Sequence, residues 1–571
     1  MKSVPLLAFP KRAFGLQRLL LLGGMLMLFA GCAQPGGSLE YRPKTEQMYL
    51  EAAPITERYF PPPAILPATP AFQVTDRFTT QREMTDFLAG LAGSSDNAYL
   101  REMGRSREGE MIPMIVFTRA PSGSPQALAA TGLPTVWIHA QQHGNEPASG
   151  EGALAVAADL AGTAAYLLER MNVVIVPRVN PYGSRLDLRH TVDKMDLNRD
   201  SMRMLLAESR ALRRTNLAYA PVLTIDAHEY HPARDALRRW GRRGLVEAHD
   251  MLIQGPEHPN IPRAIRDLAR DLFIPAVIRD LADQQMLAHE YYVVHPRRRH
   301  PTMRLVAGGT EARIGRNFHG LVNQVSILLE SRGIGLGRQQ FGRRVVAQQQ
   351  TMLSLLRTLH DHADQVVGVI EQARGDIIRR GRAVGDDDFL VLDTEPAVAV
   401  PHTVPYIDLE TMERRPQHVL YRSQVEQQIQ QTRERPLAYV LRPELVDALR
   451  TLQDLGLRVQ RLTEPRAVPV QSLTVDGYRE SEDMYEGVRR RFVTARLRNR
   501  LVALPAGSWI VPMDQPLANL AAEALEPETA DSLVCFGVLP ARPNEELPVY
   551  RLMDPQARAA LPLAAVVSLP Y

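Results

Sequence analysis

Short apolar runs alternate with helix-like runs between residues 80 and 360. Five runs are short enough for single strands and consist mostly of apolar residues; they cover residues 111–117, 135–139, 172–177, 222–226 and 325–329. The Ala- and Leu-rich stretch 153–168 has helical spacing, broken at Gly162. Strands that alternate with helices are typical of a parallel sheet. The pattern therefore predicts an α/β fold: a mixed, largely parallel sheet with helices on both faces.

The pattern changes after a long helical segment. Residues 345–373 carry apolar side chains at helical spacing, and residues 381–385 then interrupt the pattern with two glycines. Beyond them, residues 437–462 read as strand, helix and strand. We expect a boundary near residue 375. It would separate a first domain, residues 81–375, from an accessory α/β or α+β domain of unknown role, residues 376–571.

The N-terminus has the features of a targeting segment. Basic residues precede an apolar run, residues 19–30, that is too short to span a bilayer. The run leads to Cys32 through two small residues, which resembles a bacterial lipoprotein cleavage box, although Phe29 stands where Leu is usual. We expect residues 1–31 to be a lipoprotein signal peptide, Cys32 to be lipidated and the Pro-rich residues 32–80 to form a tether. An ordinary signal peptide with a chance cysteine is the alternative.

Lipidation of Cys32 would have consequences for location and for disulfide bonds. Ala33 is not the Asp that retains lipoproteins in the inner membrane, so we expect an anchor in the outer membrane that leaves the protein facing the periplasm. The chain contains 2 cysteines. Cys535 would then have no intramolecular partner, and core burial would have to stabilise the protein.

Length and charge narrow the class of protein. A chain of 571 residues suggests about two to four domains. The formal net charge is +3, and the charges are mixed along the chain. A dedicated nucleic-acid binder would concentrate its basic residues on one element, so this class is disfavoured. The short basic run at residues 297–300 is expected to be a solvated loop.

Two histidines and a glutamate at strand ends can bind one metal ion. His143 and Glu146 follow one predicted strand, and His228 follows another. Two imidazoles and one carboxylate leave a fourth position open for water, as catalytic zinc sites require. In the alternative interpretation Glu146 only favours the start of a helix. His231 competes with His228 as the third ligand.

A second group of residues suits the recognition of a carboxylate. Residues 180–183 (Asn-Pro-Tyr-Gly) predict a turn after a strand, and Arg189, Asp196, Asn198 and Arg199 follow. The planar guanidinium group of arginine matches two carboxylate oxygens. In isolation, the same residues are also compatible with turn chemistry and surface arginines.

Glu330 stands at the end of the last apolar strand of the first domain. A carboxylate at that position is costly unless it is paired or belongs to a site. Beside a metal-bound water it is placed to act as a general base and then as a general acid. The alternative is an exposed residue paired with Arg332.

Together these groups resemble the zinc carboxypeptidases of the carboxypeptidase A type. The resemblance covers roughly residues 85–340, about half of the chain. It implies one zinc ion per chain, held by His143, Glu146 and His228. It also implies a peptide substrate with a free C-terminal carboxylate, whose terminal amide, or an amide in a cell-wall peptide, is hydrolysed.

The resemblance implies roles for the remaining polar residues as well. Asp196 would hold the second nitrogen of His143, and Arg189 would stabilise the oxyanion. Asn198 and Arg199 would bind the terminal carboxylate of the substrate. Glu330 would deprotonate the zinc-bound water, which attacks the amide, and pass the proton to the leaving amine.

One departure from the family pattern affects the substrate pocket. The family carries a substrate-contacting Tyr some twenty residues before the catalytic Glu, and this stretch of the chain has none. Tyr291 and Tyr292 are possible replacements from an inserted loop. Arg313 and Arg316 lie in the stretch that would line the pocket, so a preference for acidic substrate groups is a further hypothesis.

Two other functions remain open at this point. The stretches at residues 142–146 and 196–199 also resemble aspartoacylase and succinylglutamate desuccinylase, which hydrolyse N-acyl amino acids. The lipoprotein signal favours a peptidase over these. A non-catalytic, anchored peptide-binding protein is the third possibility.

Overall fold

The structure is a computed structural model, and it describes residues 49–74, 77–295, 301–385 and 387–565. The signal peptide and Cys32 lie outside the described residues, as do the first part of the tether and the basic run at residues 297–300. No helix within the described ranges combines the length and the apolar character that crossing a bilayer requires.

The described residues contain strands of 3 to 15 residues. In chain order they are β1 Ala98–Arg105, β2 Met111–Phe117, β3 Thr135–Ala140, β4 Asn172–Val176, β5 Leu223–Tyr230, β6 Leu245–Glu247, β7 Met251–Gln254, β8 Ala288–Glu290, β9 Tyr292–Val294, β10 Met303–Ala307, β11 Val325–Arg332, β12 Phe389–Glu395, β13 Val400–Asp408, β14 Glu413–Arg422, β15 Gln428–Glu434, β16 Ala438–Leu441, β17 Gln460–Leu462, β18 Arg466–Glu480, β19 Arg491–Leu504, β20 Trp509–Pro512, β21 Glu546–Leu552 and β22 Leu563–Ala565.

The helices connect these strands and cover them. In chain order they are α1 Ala53–Tyr59, α2 Gln81–Ser94, α3 Pro125–Ala130, α4 Pro147–Ala161, α5 Pro181–Leu186, α6 Ala207–Tyr219, α7 Arg263–Asp267, α8 Ile274–Asp283, α9 Gly315–Leu321, α10 Phe341–Arg380, α11 Val446–Asp454, α12 Ala518–Leu525 and α13 Pro555–Ala559.

An eight-stranded sheet carries the predicted strands of the first domain. Its order is β1-β2-β4-β3-β5-β11-β7-β8. The central strands β4, β3, β5 and β11 are parallel, whereas β1, β2 and β7 pair in the antiparallel sense. The prediction of a mixed, largely parallel sheet is confirmed.

Apolar side chains on both faces of this sheet hold the helices in place. Because successive residues of a strand point to opposite faces, Val136 and Ile138 of β3 join the core that contains α4 and α10. Trp137 between them joins a separate core with Leu212 of α6. Strands that are apolar at every position are buried on both faces, which is why the sequence pattern predicted the layers.

The predicted boundary near residue 375 lies inside α10, which continues to Arg380. Strands from both sides of it share one sheet, in the order β6-β13-β14-β10-β9. The later strands β18 and β19 form a long antiparallel pair in a seven-stranded sheet, β19-β18-β21-β16-β20-β17-β22. The division into two domains stays a prediction. Sequence patterns did not indicate the shared sheet, because its strands are far apart along the chain.

Candidate metal centre

The loop after β3 brings the first two candidate ligands to the carboxyl edge of the sheet. His143 lies in this loop, and Glu146 immediately precedes α4. The loop is pressed against the turn that contains Gly183: a Cβ atom on Gly144 would lie 1.9 Å from the carbonyl carbon of Gly183. Glycine is therefore needed at position 144, because any side chain there would push the two loops apart.

The third candidate ligand, His228, reaches the same point from β5. Its Nδ1 atom lies 3.1 Å from Nδ1 of His143 and 2.8 Å from Oε2 of Glu146. Nδ1 of His143 lies 2.8 Å from the other oxygen, Oε1, of Glu146. All three side chains are at least 96% buried, since their exposed fractions are 4%, 1% and 1% in chain order.

The donor set fits a zinc ion. Two imidazole nitrogens and one carboxylate are the ligand types that zinc prefers, and they converge while leaving room for a fourth ligand. Burial acts to raise the pKa of Glu146, but the neighbouring His143 and His228 outweigh it and lower that pKa to about 2, so the carboxylate is ionised. Within the described part of the chain, this is the one cluster of three or more candidate ligands.

A carboxylate stands behind each histidine. Nε2 of His143 lies 3.1 Å from Oδ1 of Asp196, the partner that the family resemblance implies. Nε2 of His228 lies 2.7 Å from Oδ1 of Asp226. Such carboxylates fix the ring orientation and raise the basicity of a metal-binding imidazole. The nitrogen that faces the ligand cluster is thus Nδ1 in both histidines.

Asp226 is a functional residue that the sequence reasoning missed. It is fully buried, and Gln142 Nε2 donates a hydrogen bond of 2.8 Å to its Oδ1. The charges of His228 and His139 hold the pKa of Asp226 well below its usual range, although burial acts in the opposite direction. The signal was present: residues two apart on a strand share a face, so a partner for His228 was to be expected at position 226.

Arg189 borders the ligand cluster on one side. Its Nη1 atom lies 3.1 Å from Nδ1 of His143 and 3.7 Å from Oε1 of Glu146. Nε and Nη2 donate to Oδ2 of Asp196 at 3.0 and 2.8 Å. Asp196 therefore orients both a candidate ligand and the arginine beside it.

Glu330 lies beside the cluster at the edge of the sheet. It is paired with His228 in the parallel register of β11 and β5, so the two residues stand side by side at the sheet edge. Burial raises the pKa of Glu330 to about 7. A carboxyl group with a pKa near neutrality can both accept and return a proton, as acid–base catalysis requires.

Asn198 and Arg199 occupy different surroundings, although they are adjacent in the sequence. Asn198 is buried; its Nδ2 lies 3.0 Å from Nε2 of His228, and its Oδ1 accepts a hydrogen bond from Gly315 N. Arg199 is half-buried and donates to the carbonyl oxygen of Asn198. Asn198 thus lies against a candidate ligand, and the carboxylate-binding role implied for both residues stays a prediction.

His231 and the two candidate tyrosines are now placed. His231 lies outside the ligand cluster, and its Nδ1 accepts a hydrogen bond from Ala233 N. Tyr292 points away from the cluster and donates to Glu247. Tyr291 lies close enough to Glu330 for that carboxylate to raise the pKa of its hydroxyl, in addition to the larger effect of burial. Of the two tyrosines, Tyr291 is the one near the site.

The two basic residues of the expected pocket also differ. Arg313 is tied to Asp531 by two hydrogen bonds and to Glu311 by an ion pair, so acidic groups of the protein already neutralise its charge. Arg316 is buried and donates to the carbonyl oxygen of Gly309. Only Arg316 remains as a candidate for the hypothesis of an acidic preference.

Comparison with known proteins places this geometry in context. Residues 84–231 match the family model described as zinc carboxypeptidase. The chain is 31% identical over 487 residues to Carboxypeptidase 2 of Trichophyton tonsurans, which covers 83% of this chain and 86% of the relative. The corresponding protein of Trichophyton rubrum is 30% identical with the same coverage.

A solved structure, the metallo-carboxypeptidase from Burkholderia cenocepacia, matches with 19% identity and a TM-score of 0.37. The match covers 49% of this chain and 70% of that structure.

Proposed function

Because the chain belongs to the zinc carboxypeptidase family and is a metallocarboxypeptidase, we propose that it removes C-terminal residues from peptides at the site built by His143, Glu146 and His228. One zinc ion per chain would be bound there. The observation that carries the proposal is the convergence of two Nδ1 atoms and one carboxylate, all buried, with Arg189 and Glu330 next to them.

The residues around the ligand cluster supply the remaining chemistry. A bound zinc ion would act as a Lewis acid toward water and the substrate carbonyl. Arg189, whose Nη1 atom lies 3.7 Å from Glu146, would stabilise the negative charge that develops on the carbonyl oxygen. Glu330 takes a proton from the attacking water and returns it to the leaving amine, for which a pKa near 7 is suited. Arg199 is the candidate partner for the terminal carboxylate.

The test of this function compares a peptide with its C-terminal amide. Loss of the terminal carboxylate removes a charge-assisted contact worth about 1.5–3 kcal/mol, so we expect kcat/KM to fall at least about tenfold for the amide. Arg199→Gln should lower the rate on the free acid and narrow the gap between the two substrates. The measurement is release of the C-terminal residue, followed by mass spectrometry.

Matched controls separate this function from its alternatives. Arg119→Gln, at a half-exposed surface ion pair with Glu169, should leave the preference for the free acid unchanged. Equal cleavage of the free acid and the amide would contradict a carboxypeptidase. A higher kcat/KM on N-acyl amino acids than on any peptide would favour the aspartoacylase-like alternative.

We also propose that Cys32 anchors the protein to the outer membrane, facing the periplasm. The basic and apolar segments before Cys32 support this. In a Gram-negative host, the full chain should fractionate with membranes and carry lipid on its N-terminal cysteine, as detected by mass spectrometry. Cys32→Ser should abolish the lipid, whereas Cys535→Ala should retain it. Processing at another residue, with no lipid on the wild type, would refute the anchor.

A further inference from the structure

A turn from the distant C-terminal region reaches the candidate metal centre. Strand β18 ends at Glu480, and β19 begins at its partner Arg491. Residues 481–490 connect the two strands. Within this connection Tyr485 and Val488 exchange backbone hydrogen bonds of 2.8 and 3.1 Å. Glu486 and Gly487 between them form the tip of the turn.

The carboxylate of Glu486 contacts the main chain of Asp196. Its Oε2 atom accepts a hydrogen bond of 2.9 Å from Asp196 N, across 290 residues of sequence. Asp196 is buried, and its side chain meets both His143 and Arg189. Glu486 thus fixes the backbone of the residue that orients a candidate ligand and the candidate oxyanion-binding arginine.

Glu486 adopts a backbone conformation that glutamate disfavours. Glu486 and Gly487 both have positive φ, +45° and +80°. Two-residue turns of this kind favour Asn followed by Gly, because Asn tolerates the left-handed conformation better than Glu does. Asn is one methylene shorter than Glu. A residue in such a conformation, held by its surroundings, is often part of a functional site.

Two arginines from outside the turn, Arg203 and Arg313, hold it against the rest of the protein. Arg203 donates to the carbonyl oxygen of Glu486 at 2.7 Å. Arg313 Nε donates to the hydroxyl of Tyr485 at 2.7 Å, and the Arg490 guanidinium carbon lies 4.5 Å from the centre of the same ring. Contacts at Glu486 itself and at the preceding Tyr485 therefore hold Glu486 in position.

We propose that Glu486 is a positioning residue of the active site, so that the C-terminal region of unassigned role completes the metal centre. Resting on the proposed function, this inference adds a residue from outside residues 84–231, the range that matches the family model. Removal of the acceptor would leave the buried N–H of Asp196 without a partner and let its backbone shift. Displacements of about 1 Å in such a site reduce turnover strongly.

The experiment compares substitutions of Glu486 in the full chain. Glu486→Asn suits the turn better but cannot reach Asp196, so the gain in the turn should offset the lost contact and keep its thermal midpoint near that of the wild type. Zinc should nevertheless pass from this variant to a competing chelator about tenfold faster than from the wild type. Tenfold is the lower end of the effect expected when a residue that holds a metal ligand in place is substituted. The kcat of Glu486→Asn should fall by a similar factor while KM changes little. Glu486→Gln keeps length and an acceptor oxygen, so it should restore wild-type zinc release and kcat.

Glu482→Ala, at an exposed position of the same connection, is the matched control and should behave as wild type. The inference is overturned if Glu486→Asn releases zinc and turns over at the wild-type rate, or if Glu486→Gln is as impaired as Glu486→Asn. A wild-type protein that holds no zinc or cleaves no peptide contradicts the proposed function itself. An active wild type with an unimpaired Glu486→Asn variant contradicts only the inference.

Discussion

Glu330→Gln is expected to stop peptide hydrolysis while zinc stays bound. The substitution keeps the shape of the side chain beside His228 but removes the group that accepts and returns the proton. General acid–base catalysis contributes about 10²–10⁴-fold, so kcat should fall by about 10³-fold. Residue release from a peptide measures the loss, and elemental analysis of the purified protein measures the zinc.

Glu169→Gln, at an exposed position, is the control for the general loss of a carboxylate and should have wild-type kcat. Retained turnover in Glu330→Gln, at normal zinc content, would exclude Glu330 as the proton carrier. The catalytic group would then have to be sought among its neighbours, of which Tyr291 is the first.

Glu146→Gln is expected to lose zinc, whereas Glu330→Gln is expected to retain it. Glu146 supplies the only carboxylate of the described three-residue cluster, and its two oxygens face His143 and His228 separately. Structural zinc sites bind with about 10–16 kcal/mol over four ligands, so a ligand contributes about 3 kcal/mol. The dissociation constant for zinc should rise by about 10²-fold or more, as measured by competition with a chelator.

The two Glu→Gln variants control each other because they make the same chemical change at neighbouring positions. Glu330→Gln should bind zinc and fail to turn over, whereas Glu146→Gln should regain part of its activity at a large excess of zinc. A Glu146→Gln variant with wild-type zinc affinity would remove Glu146 from the ligand set. The ligand set would then contain His143 and His228 but no carboxylate from the described cluster.

The sequence predicted the layers of the central sheet and the place of the site. The central strands begin with mostly apolar runs and are buried along nearly their whole length, which is typical of a sheet covered on both faces. Polar residues directly after such strands meet at one edge, because the carboxyl ends of parallel strands lie together. For this reason the sequence alone predicted that His143, His228 and Glu330 lie at one edge of the sheet.

Residues that act through a neighbour left weaker signals in the sequence. Asp226 could be predicted from the alternation along β5, but only once His228, two residues further on, is recognised as a ligand that needs a partner. The pairing of β13 with β6, and of β14 with β10, left no pattern at all. A periodicity records which face of an element is buried but does not identify the partner element.

The sequence by itself determined the identity of the candidate ligands, the candidate base and the layers that hold them, since these depend on residue type and local spacing. Only the tertiary structure decided which nitrogen of each histidine faces the cluster, that Arg313 is already neutralised by Asp531, and that Glu486 reaches Asp196. Those facts depend on contacts between residues that are distant in sequence. The chain must close long loops to make such contacts, and they impose no local pattern.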